Sequence, residues 1–164
     1  MRRFALVALA LLVAGALSDG LASGAPASVA RCEASTLSAS FAHVRDSDAT
    51  GHELYRLRIA THTDACVLPG NVTLQLLGAN GADLPTRVFG AIRLNTVTSA
   101  GATIDLELSP DLYGRGEPAS GRCEPVAYRL RVRTSVGTLV APVRPPTPVC
   151  LHGAMAVISA GDVR

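Results

Sequence analysis

The chain has no lysine and no tryptophan. Without lysine there is no Schiff-base amine, no phosphate-loop lysine and no serine–lysine dyad. Without tryptophan the strongest stacking platform for sugars or quaternary amines is missing. No Cys-x-x-Cys occurs, so the usual redox and zinc spacings are absent as well. Neither a nucleophile elbow nor a Gly-rich phosphate loop can be found. Nor is there strong charge of one sign. From Arg31 onward, that residue included, the chain carries 13 arginines against 12 acids, which is no electrostatic footprint for nucleic acid.

The N-terminus carries an export signal. Arg2 and Arg3 precede an apolar run from Phe4 to Leu17, long enough for a signal-peptide core and too short to span a bilayer. Small-residue cleavage sites follow at Gly20-Leu21-Ala22, Ala25-Pro26-Ala27 and Ser28-Val29-Ala30. Residues 1–30 are therefore expected to be a leader cut somewhere in 22–30, and 31–164 one domain. Arg31 before Cys32 is too bulky for a lipoprotein signal. The expected product is secreted or extracellular, monomeric and not lipid-anchored, with no transmembrane segment in the mature chain.

What is present is period-two alternation. Leu37, Ala39 and Phe41 alternate with small residues; Tyr55, Leu57 and Ile59 alternate with Arg56 and Arg58. The same pattern runs through Val72–Leu76, Ile104–Leu108 and Val126–Val132, with weaker strands at 86–94 and 138–143 and a further one at Ala154–Ser159. Turn chemistry separates them at Pro69-Gly70, Asn80-Gly81, Ala100-Gly101, Pro110-Asp111 and Val136-Gly137. The proline-rich stretch Pro142–Pro148 reads as an edge strand or connector, because proline cannot donate to a ladder. Seven or eight short strands predict an all-β domain, an antiparallel sandwich or barrel.

The four cysteines form two brackets. Cys32 and Cys66 are centred on the loop 46–51, Cys123 and Cys150 on the turn 135–138. Partners in an antiparallel hairpin share a constant sum of residue numbers. For Cys32 and Cys66 the sum is 98, which also sets Phe41 against Leu57 and Ala39 against Ile59. For Cys123 and Cys150 it is 273, which sets Tyr128 against Pro145 and Leu130 against Val143. The expected bridges are Cys32–Cys66 and Cys123–Cys150, two structural disulfides of an exported protein.

Cys66-Val67-Leu68-Pro69-Gly70 after an alternating strand resembles the Cys-x-Leu-x-Gly signature of the actinobacterial domain-of-unknown-function family 4232. Leu74–Leu77 with Asn80-Gly81, Ala100-Gly101-Ala102 before Ile104, and Cys123 with the strand 126–133 and Cys150 resemble its later segments. Two features depart from it: the family's aromatic positions are largely missing, and Thr61-His62-Thr63-Asp64 replaces its Asn-x-Gly. The resemblance implies an immunoglobulin-like β-sandwich that is secreted or lipid-anchored. It implies no catalytic residue and no cofactor.

Candidate chemistry is sparse. Asp46, Asp48 and Thr50 before Gly51 match the first half of a calcium loop, but its twelfth position is Leu57 where a bidentate acid is needed. The bland reading is a polar hairpin loop. His43, His52, His62 and His152 do not converge in the hairpin register, which argues against a three-histidine zinc site. Asp105 and Glu107 share a strand face with Arg56 and Arg58 opposite, which suggests a cross-strand ion-pair ladder. Arg129, Arg131 and Arg133 form an outward row, the best binding candidate, suited to an acidic protein or an anionic glycan of the cell envelope. The plain alternative is a solvated strand face. The expectation is a non-catalytic binding or structural module. The competing expectation is a metal-binding or hydrolytic domain using loops 45–53 and 110–122.

Overall fold

The computed structural model describes residues 29–45, 53–108, 125–149 and 154–162, the last four of these by backbone alone. Residues 1–28, loop 46–52, segment 109–124, residues 150–153 and residues 163–164 lie outside the described residues. After a short 3-10 turn at Ala34–Thr36 come eleven strands: β1 Leu37–His43, β2 Glu53–Thr61, β3 Cys66–Val67, β4 Asn71–Leu77, β5 Arg87–Phe89, β6 Ile92–Arg93, β7 Thr96–Val97, β8 Ala102–Leu108, β9 Val126–Thr134, β10 Gly137–Pro148 and β11 Ala154–Asp162. The fold is all-β. The expected weak strand 86–94 is divided into β5 and β6, and the two-residue strands β3 and β7, which the alternation did not show, are added, which raises the number above the expected seven or eight.

Nine strands form one sheet in the order β5-β11-β8-β2-β1-β10-β9-β4-β6, and β3 pairs with β7 separately. The sheet is mixed, which corrects the antiparallel expectation. β1 runs parallel to β10 through Phe41–Val143 and Ala42–Arg144, and β5 runs parallel to β11 through Arg87–Ala154 to Phe89–Ala156. Both parallel pairs join strands far apart in sequence, where no hairpin dictates direction. The strands at the two ends of the sheet, β5 and β6, are separated only by Gly90 and Ala91. The sheet must therefore curl until its ends meet. Its concave side buries one continuous core that includes Phe41, Tyr55, Leu57, Ile59, Ile104, Leu106, Leu130, Val132 and Met155.

The first bracket folds as the alternation predicts. β1 and β2 pair from Leu37–Thr61 to His43–Tyr55, with Phe41 opposite Leu57 and Ala39 opposite Ile59. Phe41 and Tyr55 stack with ring centroids 5.1 Å apart. At the open end of this hairpin Cys32 and Cys66 form a disulfide, their Cα atoms 4.9 Å apart. Cys32 N–H donates to Val67 O, and Val67 N–H to Ala30 O. The incoming chain is thus tied to Val67 of β3 by two backbone hydrogen bonds beside the bridge.

The second hairpin does not keep the expected register. Leu130 faces Ala141 and Arg129 faces Pro142; after a break between Pro142 and Thr147, Ala127 faces Thr147 and Val126 faces Pro148. The turn has only two residues, Ser135 and Val136, so the hairpin centres earlier than the cysteine bracket does. Residues 143–146 absorb the difference as a bulge. β10 is also not an edge strand, for it lies between β9 and β1. Its prolines survive there because none has to donate. Leu139 and Ala141 face β9, so Pro142 turns its nitrogen away; Pro145 and Pro146 fall in the break; and Val149 N–H donates to Pro125 O at 3.0 Å, which turns Pro148 away too.

One glycine is dictated by close approach. Gly101 has φ +89°, and a Cβ there would sit 2.7 Å from Arg58 Nε and 3.1 Å from Ile59 O. The turn Ala100–Gly101 lets Arg58 cross it.

Replacing both Cys32 and Cys66 by serine is expected to lower stability by about 3 kcal/mol, since the bridge closes a loop of 34 residues. Urea denaturation of the oxidised protein and the double variant measures it; a difference below about 1 kcal/mol would show that the β1–β2 ladder alone holds this end.

Candidate functional site

β9 sits between β10 and β4, both antiparallel to it. This arrangement makes an outer surface of three cross-strand rows: Thr138–Arg133–Thr73, Val140–Arg131–Gln75 and Pro142–Arg129–Leu77. Leu130 and Val132 point the other way into the core, so the alternation Arg129, Arg131, Arg133 does place the arginines on one outward face. They are not equivalent, however.

Arg131 is half-buried and gives Nη1 to Asp83 Oδ1 at 2.7 Å. Asp83 comes from the loop after β4, which folds back along the strand. Gly78 N–H donates to Ala82 O, Ala82 N–H to Asn80 Oδ1, and Leu84 N–H to Leu76 O. This fold-over covers Leu77, which is 3% exposed although it lies on the outer face. Arg131 is therefore a fastener for loop 78–84. Arg129 and Arg133 are exposed and make no hydrogen bond or ion pair among the described residues. With exposed Val140 and Thr138 alongside, they present two guanidinium groups without an acid partner among the described residues on the outer face of the sheet.

The sequence offered no sign of Asp83 as a partner. Its signal was the Asn80-Gly81 turn, which reverses the chain and brings the acid back over β4. Gln75 adds to the same loop: its side-chain amide donates to Leu84 O and to Thr86 Oγ1, and Thr86 Oγ1 in turn accepts Leu76 N–H at 2.9 Å.

Of the expected ion-pair ladder between β2 and β8, the Arg56–Asp105 rung is formed. Arg56 pairs bidentately with Asp105, Nε to Oδ1 at 2.6 Å and Nη2 to Oδ2 at 2.9 Å. The hydrogen bond and then the charge of Asp105 raise the Arg56 pKa still further above its ordinary value, against a small opposing effect of burial. Arg58 does not join the ladder. Its Nε and Nη2 donate to Ala100 O at 2.6 Å and Ser99 O at 2.7 Å, closing the turn before β8. Glu107 stands opposite Leu54 of β2.

The remaining candidates are dispersed or undescribed. His43 packs edge-on against Tyr55 at 5.4 Å, and His62 is exposed beyond β2. Asp46, Asp48 and Thr50, His52 and His152, and Cys123 and Cys150 lie outside the described residues. Among the described residues no three His, Cys, Asp or Glu side chains are grouped so as to hold a metal. No helix among them is long and apolar enough to cross a membrane.

Substituting Arg131 by alanine is expected to cost less than about 1 kcal/mol, because Asp83 is largely exposed. It should nevertheless speed amide exchange in residues 78–84, as read by hydrogen exchange; unchanged exchange there would refute the fastening role. No family model, no curated protein and no solved structure matches this chain.

Proposed function

We propose that the protein is an exported, non-catalytic binding or structural module of the cell envelope, which holds an acidic protein or an anionic glycan on the arginine face of β9. The observation that carries this reading is the pair Arg129 and Arg133. Both stand exposed on the outer sheet face without an acid partner among the described residues, while Arg56, Arg58 and Arg131 are tied to oxygen acceptors. A free guanidinium fork is suited to carboxylate, sulfate or phosphate.

Export is supported by the N-terminal Arg2, Arg3 and Phe4–Leu17 pattern and by the Cys32–Cys66 bridge, since such bridges persist in oxidising compartments. The resemblance to the actinobacterial family 4232 points the same way. An immunoglobulin-like sandwich is the finer description we favour for the curled sheet, because its two halves enclose a single core.

A second disulfide, Cys123–Cys150, completes the reading. The β9–β10 ladder is still paired where Val149 N–H meets Pro125 O at 3.0 Å. Cys123 lies two residues before Pro125 and Cys150 directly after Val149, which is near enough for a bridge.

On a sulfated-polysaccharide column the protein should be retained at low salt and released as salt rises. Arg129→Ser and Arg133→Ser should each elute earlier, and the double variant earliest. Equal elution of all three with the parent would sink the arginine-face reading. Peptide mapping under non-reducing conditions should recover Cys123 joined to Cys150. A fragment joining either of them to Cys32 or Cys66 would overturn the pairing.

A further inference from the structure

We propose that the place where the curled sheet closes on itself is a binding slot for a small ligand carrying a secondary amide beside a carboxylate. The slot adjoins the arginine face, with which it shares Thr73, but its walls are the backbone edges of β4 and β5, and the proposal stands or falls separately from that reading. β4 and β5 approach there without pairing. Between them lies an open cavity of about 430 Å³, lined by Asn71–Leu74 on one wall and by Thr86, Val88 and Gly90–Ile92 on the other. That volume lies in the range of small-molecule sites.

The registers fix which backbone groups face the slot. Leu76 donates its N–H to Thr86 Oγ1 and accepts Leu84 N–H, so its peptide groups point away from β9. Lateral direction alternates along an antiparallel strand, so Val72 and Leu74 point the same way. Val72 meets Ile92 of β6, whereas Leu74 meets no partner among the described residues.

The opposite wall follows by the same parity. Val44 N–H donates to Leu54 O, which turns the even-numbered residues of β2 toward β1 and the odd-numbered ones toward β8. Carried across the β2–β8 and β8–β11 registers, this turns Ala156 toward β8 and Met155 toward β5. In a parallel ladder Met155 then bonds the residues flanking its partner Val88, namely Arg87 and Phe89. The N–H and C=O of Val88 are left pointing at the slot.

Two donors and two acceptors thus face each other across a lining that is largely apolar. The walls cannot close into a ladder of their own. Thr86, Gln75 and Leu76 pin one end, and the β4–β6 pair with the turn at Gly90, φ +102°, pins the other. A trans secondary amide carries its C=O and N–H on opposite sides. One such amide can therefore accept from one wall and donate to the other.

The charge around the slot selects an acid. Between Ala65 and Ile104 the chain has one carboxylate, Asp83, and Arg131 holds it. Arg93 lies beside the cavity with its Nε on Asn71 Oδ1 at 3.1 Å, and exposed Arg87 directly precedes Val88. Neither arginine forms an ion pair among the described residues.

Titration of the isotope-labelled protein with N-acetyl-L-alanine, for a peptide source, and with N-acetylmuramic acid, for a glycan source, tests the proposal by amide chemical shifts. Saturable shifts centred on Leu74 and Val88 are expected with at least one of the two. Binding should be about tenfold weaker for N-acetyl-N-methyl-L-alanine, which lacks the N–H, and undetectable for acetate. Ala91→Trp, at an exposed position on the lip, should abolish the shifts while leaving the rest of the spectrum in place. Failure to saturate with both compounds, equal effects of acetate, or persistence in a folded Ala91→Trp variant would each overturn the proposal. The free edge is checked on the parent protein alone: the Leu74 amide should exchange at least about tenfold faster than those of Val72 and Leu76, and equal protection at all three would refute it.

Discussion

The constraint on which this molecule depends is that its sheet must end where it begins. β5 and β6 occupy opposite ends of the strand order, yet two residues separate them in the chain. A sheet that had to bring those ends together could not stay flat. The right-handed twist between neighbouring strands supplies the curl, and the small residues Gly90 and Ala91 allow the tight crossing. The end strands are short: β5 pairs with only three residues of β11 and β6 with only two of β4, so among the described residues no strand pairs with β4 around Leu74, with the outer side of Val88, or with the outer side of β11 beyond Ala156.

The parts of this architecture that were legible in the sequence are those carried by local periodicity. The β1–β2 register follows from Phe41, Leu57, Ala39 and Ile59 with Cys32 and Cys66 at the ends. Every residue there contributes to one face and no bulge intervenes. The β9–β10 register was not legible. The bulge at 143–146 has no alternation to mark it, and proline in those positions reads as the end of a strand when it is in fact a strand whose donors face away. The two-residue strands β3, β6 and β7 are too short to show any period at all. Parallel pairing of β1 with β10 and of β5 with β11 depends on closure of the whole sheet, which no local window contains. At the arginine face, outward alternation was readable, while the division between Arg131 and its neighbours required the position of Asp83 after a turn.

The absence of lysine acquires a structural meaning at this point. Arg56 uses two nitrogens on Asp105, and Arg58 uses two on successive carbonyls of a turn. Both contacts need a planar fork with fixed spacing, which a single ammonium cannot provide. Arg93 and Arg131 each hold a side-chain oxygen through one nitrogen, on Asn71 of β4 and on Asp83 of the loop after it. Arginine in this domain is in part a cross-strand fastener that needs no hydrophobic area, useful in a sheet with few aromatic residues. The arginines that fasten nothing stand out against that background, and Arg129 and Arg133 are the two that share a strand face.

The two proposed sites differ in what they recognise. A pair of guanidinium groups on an open sheet face distinguishes charge and little else, so its affinity depends on ionic strength and tolerates many anionic partners. Two backbone edges held apart by pinned ends distinguish the direction of an amide, because a donor and an acceptor must arrive on opposite sides. Charge at its rim then adds orientation. Salt should weaken the first kind of binding strongly and the second only in part, since the amide contacts are short, directional and shielded by the walls. A module that draws a polyanion to one face and reads an amide at its seam would combine capture with specificity, without any reactive side chain.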